Sequence, residues 1–183
     1  AMGELSATLF GQRYHFRDVK DVLAKANEEK SGDRLAGVAA SSAAERSAAR
    51  YVLAELTLGT LRANPAVPYE DDEVTRVIDD AVNETVFAEI AGWKLGDFRE
   101  WLLANTTTGE MIKRVSTALT AEMVAGVTKL MSNLDLMLAA GKIRNVKHAN
   151  NTIGLPGTLA SRLQPNHQTD SVEGIRAAVY EGL

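Results

Sequence analysis

The stretch "IGLPGTLASRLQPN", residues 153–166, decides how the chain is read, because nearly everything before it carries the periodicity of helices. Gly154, Pro156 and Gly157 open it and Pro165 closes it, which marks one short extended run between two breaks. Its alternation is too poor for a surface strand and suits a strand covered on both faces, as parallel sheets require. Asp170 and Ser171 can then cap a helix over "SVEGIRAAVYEGL", residues 171–183. A parallel strand needs neighbours, so residues 150–183 read as the first strand and helix of a larger α/β body. The alternative is an irregular arm lying on a helical bundle.

The end of this run carries Arg162, Gln164 and Asn166 at alternate positions. Period two points all three the same way, and ligand sites in parallel α/β bodies gather at the C-terminal ends of the strands. A guanidinium only donates hydrogen bonds and could grip a hydroxyl or carboxylate oxygen; the Gln carbonyl could accept from an amine. The competing reading is that these side chains cap the end of the sheet by bonding to neighbouring loops.

Working outward, residues 4–149 read as a helical domain. "ATLFGQRYHF" (7–16) suggests a hairpin of two short strands with a Gly11-Gln12 turn. Asp18 can cap a helix carrying Val19, Val22, Leu23 and Ala26, with Gly32 as its stop. Residues 33–56, rich in alanine and arginine, suggest two helices divided at Ser41-Ser42. Residues 69–93 begin with acids suited to a helix N-terminus and break at Asn83. Phe98, Trp101 and Leu102 share one face, Thr108 and Thr120 are caps, and Met123, Met131 and Met137 lie on faces with leucine and valine that suit core filling. Leu134, Leu136, Met137 and Ile143 continue the last apolar run of this domain. Ala1-Met2-Gly3 reads as the remnant of a cleaved expression tag.

Composition narrows the function. Apolar residues make up 45% and charged residues 24% of the 183, values of an ordinary globular protein. The net charge of −4 and the lack of a basic block disfavour nucleic acid. With no cysteine, disulfide scaffolds and thiolate zinc sites are excluded. No apolar run approaches the roughly 20 residues of a membrane span, and the start has no signal-peptide pattern, so no membrane association is expected. His15, His148 and His167 are scattered without metal-ligand spacing, and the acids of residues 70–73 read as a solvated helix start rather than a cation site. Phosphate-cradling glycine loops and a GxSxG elbow are absent from the sequence.

Four segments carry a resemblance: "TLFGQRYHFRDVKDVLAKANEEKSGDRLAGVAA" (8–40), "YEDDEVTRVIDDAVNET" (69–85), "LTAEMVAGVTKLMSNLDL" (119–136) and above all "NNTIGLPGTLASRLQPN" (150–166). The chain resembles the large, catalytic subunit of ethanolamine ammonia-lyase, nearly end to end and in the same order, over less than half of that family's length. Residues 104–118 follow the pattern least well. The resemblance implies a mainly α fold: a helical N-terminal domain with a small hairpin, then the first β-strand and α-helix of a truncated (β/α)8 barrel. It implies a radical conversion of ethanolamine to acetaldehyde and ammonia with adenosylcobalamin, which carries the radical chemistry and is not expected to bind this fragment alone. It further implies a small subunit and other large subunits as partners, and a cytoplasmic location within a bacterial microcompartment. By the same resemblance, Arg162 holds the substrate hydroxyl and Gln164 its amine, with Leu163 contributing backbone and packing. The family's other substrate groups, including its acidic residues, and nearly all cobalamin contacts belong to later strands, so the fragment alone is expected to be inactive. A different class of function stays open, a stand-alone helical interaction module for subunit or microcompartment assembly. So does self-association through an unpaired strand edge.

Overall fold

Side-chain caps explain where most of the helices begin. The computed structural model describes residues 5–148, 152–165 and 171–182. Strands β1 (Ser6–Leu9) and β2 (Gln12–His15) pair antiparallel, with Leu9 opposite Gln12 and Ser6 opposite His15. The turn is therefore Phe10-Gly11, one residue earlier than expected, and both residues have positive φ, 53° and 76°. Two left-handed residues in succession match the twist of a two-residue hairpin, and glycine at the second lowers the cost.

Helix α1 (Val19–Lys25) starts at Asp18, whose Oδ1 accepts from the Asp21 N–H at 2.7 Å, as its sequence position suggested. Gly32 does not stop this helix. α1 ends at Lys25, and Gly32 lies inside a second short helix, α2 (Ser31–Leu35), which is restarted when the Asp33 carboxylate accepts from the Lys30 N–H at 3.2 Å. Ser42 caps α3 (Ala43–Glu55) through the Glu45 N–H. After α4 (Leu58–Arg62), Asp72 caps α5 (Glu73–Asp80) and Asn83 caps α6 (Glu84–Ile90), so the break expected at Asn83 is present. α7 (Leu95–Leu103) and α8 (Gly109–Ser116) follow, the latter capped by Thr108. Thr120 occupies the cap position of α9 (Ala121–Lys129), yet its hydroxyl makes no capping bond and is buried without a partner. α10 (Asn133–Lys142) begins with a reciprocal cap: Ser132 Oγ accepts from the Asp135 N–H, and Asp135 accepts from the Ser132 N–H.

These elements share one core. Val22, Ala48, Leu53, Leu58, Leu61, Leu95, Phe98 and Met123 are at most 2% exposed, and α3 packs on β1, α1 and α7 while α7 and α4 pack on α9. The alanines of α3 permit that close approach: Ala48 and Ala49 are wholly buried. Charged groups seal the periphery. Arg62 reaches Asp79 and Glu84 at 2.9 and 2.6 Å and lies 4.6 Å from the Phe87 ring centre, an arrangement that raises its affinity for a proton still further. Among the described residues no helix is long and apolar enough to cross a membrane.

The chain divides into two units, Ala1–Ile143 and Arg144–Leu183. The second contains β3 (Lys147–His148) antiparallel to β4 (Thr152–Ile153), and helix α11 (Val172–Gly182). Here the structure corrects the extended-run expectation. Only Thr152–Ile153 is a strand; residues 154–165 form none, and no parallel pair exists among the described residues. A parallel strand is held by ladder bonds to its neighbours, and none of the described residues supplies them beside residues 158–165.

Candidate substrate-contact site

The residues proposed for substrate contact all fall in the second unit. Its geometry starts at the β3–β4 pair, where Lys147 faces Ile153 and His148 faces Thr152, with His148 Nδ1 2.9 Å from Thr152 Oγ1. Gly154 follows with φ +96°, and a Cβ there would be driven into the backbone carbonyl of Asn145. Only glycine accommodates both the backbone angle and the approach. The next four residues, Leu155-Pro156-Gly157-Thr158, close a turn: the Thr158 N–H donates to the Leu155 carbonyl at 3.2 Å, and Gly157 has φ +72°. Proline second and a positive-φ glycine third are the requirements of a type II turn, which is what "LPGT" encodes.

Beyond this turn the backbone is irregular and its side chains reach solvent. Leu159 is fully exposed and Leu163 is 45% exposed. Leu163 nevertheless packs against the end of α11, since any Cβ at Gly182 would collide with its methyl groups. Ser171 starts that helix by accepting from the Gly174 N–H. Arg162 and Gln164 flank Leu163 on the exposed side, and Arg162 Nη2 donates to Gln164 Oε1 at 2.5 Å. Their alternate spacing thus brings them together. The pair presents further guanidinium N–H groups beside a carbonyl oxygen that can accept a second hydrogen bond, a donor and an acceptor within reach of one small molecule. That the two side chains bond to each other was not legible from the sequence; the i, i+2 spacing signals only a shared side. Asn166 and His167 lie outside the described residues.

Other polar clusters are structural. Asp72 accepts from the Thr75 N–H and hydroxyl at 2.7 and 2.9 Å, and these bonds hold its carboxyl below the ordinary aspartate range. The acidic run at residues 70–73 therefore serves a helix start. Among the described residues no group of three or more His, Asp or Glu side chains gathers as a metal site would require. A cleft of about 440 Å³ is lined in part by Arg62, whose guanidinium is already taken up by Asp79 and Glu84.

One prediction concerns the segment that carries the pair. Gly154→Ala is expected to strain the β4 exit by about 1–3 kcal/mol. Trypsin should then cut after Arg144 and Lys147 several-fold faster, with unfolding of the helical domain unchanged. Unchanged cleavage would show that the turn does not anchor this segment.

A helical domain followed by a small unit that displays an Arg–Gln pair beside a glycine-proline turn defines a class of protein by architecture, a scaffold with a polar contact point. Comparison with known proteins gives that class its identity. A family model described as ethanolamine ammonia lyase large subunit (EutB) matches residues 14–183. Ethanolamine ammonia-lyase large subunits of Escherichia coli and Salmonella typhimurium are 52% and 51% identical to it over 180 residues. Those alignments cover 98% of this chain and 40% of each relative. The chain belongs to the ethanolamine ammonia-lyase large-subunit family, and it spans about 40% of the length of the curated relatives it matches.

Proposed function

We propose that this chain is the N-terminal portion of the large subunit of an adenosylcobalamin-dependent ethanolamine ammonia-lyase, which converts ethanolamine to acetaldehyde and ammonia. The observation that carries the reading is 52% identity across 98% of the chain, Arg162 and Gln164 included in its span. In the complete enzyme the run 158–165 gains neighbouring strands and becomes the first strand of a (β/α)8 barrel. Arg162 then donates to the substrate hydroxyl, Gln164 accepts from its amine, and Leu163 keeps the pair in place by packing on α11. The substrate replaces the bond that the two side chains now make with each other. Adenosylcobalamin and the radical chemistry belong to parts of the enzyme outside these residues. A small subunit, further large subunits and a bacterial microcompartment complete the setting; the words "large subunit" in the relatives' names support the first of these.

The test is an acetaldehyde assay, read by alcohol dehydrogenase and NADH. The complete large subunit carrying this sequence, purified with its small subunit, should release acetaldehyde from ethanolamine when adenosylcobalamin is added. The 183-residue chain alone should release none. A complete enzyme without activity would overturn the family reaction for this protein, and turnover by the fragment would overturn the placement of the cofactor elsewhere.

The reading as a helical interaction module has one observation in its favour: large apolar side chains on α10 are exposed. It makes a separate demand, stable capture of the small subunit by the helical domain alone.

A further inference from the structure

Helix α10 turns Leu136, Ala139, Ala140 and Ile143 toward an apolar cleft of the domain and carries a second apolar stripe that faces outward. Asp135, Ala139 and Lys142, at i, i+4 and i+7, face the domain: Asp135 meets Arg99 at 2.6 Å, Ala139 is buried, and Lys142 Nζ donates to the carbonyls of Leu102 and Ala104 at 2.8 and 2.7 Å. Asp135 and Lys142 are the helix's two charged residues, and both are spent on that contact. Leu134, Met137, Leu138 and Gly141, at i, i+3, i+4 and i+7, form the opposite stripe, and the three large side chains are 60%, 66% and 54% exposed. This overturns the expectation that Met137 fills the core. Met123 is fully buried and Met131 packs against the core, whereas Met137 points outward.

An ordinary surface helix keeps its charges on the outward side. An outward stripe without a charge, on a helix whose two charges are fixed inward by specific bonds, signals a stripe kept apolar for contact. The patch is larger than the helix. Leu136, Ile143 and Val124 are each 37–47% exposed, and beside them lies an apolar cleft of about 300 Å³ between α7, α8, α9 and α10. Together the exposed side chains offer on the order of 600 Å² of apolar surface, within the range of contacts between domains of one chain.

We propose that this face is covered, in the complete large subunit, by the polypeptide that the relatives carry beyond the matched region, and that it anchors the helical domain to that part. This rests on the family reading above. Two observations select this occupant over a second copy. The relatives are about two and a half times as long as the matched region, so most of a large subunit is available to fill a concave apolar cleft. The chain also leaves the helical domain one residue after α10 ends, at the Ile143–Arg144 boundary. Polypeptide beyond the matched region is joined to this domain through residues 144–183, so the contact forms within one chain and a modest interface is sufficient. The uncharged stripe demands an equally apolar partner surface.

Methionine oxidation reads the face without any substitution. Peroxide converts exposed methionines to the sulfoxide, and mass spectrometry follows each site separately. In the 183-residue chain, Met137 should oxidise rapidly and Met123 slowly. In the complete large subunit without its partner, Met137 oxidation should slow by about 10-fold or more, with Met123 unchanged. Equal Met137 rates in the two proteins would overturn the proposal. So would protection that appears in the 183-residue chain and vanishes on dilution, which points to a second copy, or protection that requires the small subunit. An acetaldehyde assay on the same large subunit, after the small subunit and adenosylcobalamin are added, keeps the two ideas separable: activity with Met137 exposed removes the docking and leaves the family reaction, and protection without activity does the opposite.

Discussion

In the complete enzyme, Arg162→Ala is expected to lower kcat/KM for ethanolamine by about 100-fold, the loss that follows when a charge-assisted hydrogen bond of about 2–3 kcal/mol disappears and a polar group is left unpaired. Gln164→Ala removes one neutral acceptor and should cost about 10-fold. The two effects should not add. Arg162 and Gln164 bond to each other at 2.5 Å and the substrate displaces that bond, so each single variant also spares the cost of breaking it, and the loss in the double variant should exceed the product of the singles. Arg162→Lys keeps the charge but loses the planar fork, and should recover only part of the loss. The split between constants identifies the role. If the pair acts on bound substrate, KM rises with it, whereas a side chain that merely caps the end of a sheet would lower the yield of folded enzyme and leave KM alone. Variants with kcat/KM within about 3-fold of the parent would remove Arg162 and Gln164 from the substrate site.

That prediction depends on a segment whose shape the sequence conveyed only in part. Caps were legible because they are local: Asp18, Ser42, Asn83 and Thr108 each accept from an N–H three residues ahead, and no distant residue is needed. The type II turn was marked by Pro156 and Gly157 but was read only as the border of a strand, although the pattern Leu155-Pro156-Gly157-Thr158 contains all that the turn requires. The strand itself failed, because extended backbone becomes a strand only through a neighbour and the described residues provide none for residues 158–165. The hairpin was found but its turn was misplaced by one residue, since Phe10 with φ 53° is a conformation that non-glycine residues seldom adopt. Met137 was misread for a different reason. Helical periodicity shows which residues share a face and is silent on which face turns inward, and in α10 Asp135 and Lys142 bond inward beside Leu136 while Leu134, Met137 and Leu138 face outward. The side-chain bond between Arg162 and Gln164 lay beyond periodicity too, which reports direction and not contact.

The helical domain offers the largest expected effect on stability, at Phe98. Its ring is 2% exposed in α7, 6.0 Å from Trp101 and 6.3 Å from Trp93, and α7 packs on both α3 and α9. Phe98→Ala removes a buried ring from a site walled by three helices that also hold the rest of the core, so little collapse can refill it. The cost should be about 3–5 kcal/mol. Against the roughly 5–15 kcal/mol of a typical domain that is about a fifth or more of the whole, equivalent to a fall in Tm of about 10 °C. The chain supplies its own reporter. Its two tryptophans, Trp93 and Trp101, both touch Phe98 and both lie in the first unit, so fluorescence follows unfolding of the helical domain without interference from residues 144–183. Phe98→Leu, which keeps much of the volume, should cost less than about 1.5 kcal/mol and serves as the measure of the cavity. A Phe98→Ala midpoint within about 0.5 kcal/mol of the parent would mean that α7 presents a different face to the core. The aromatic triad would then have to be rebuilt around another register, and with it the inward Arg99 that holds Asp135 and orients α10.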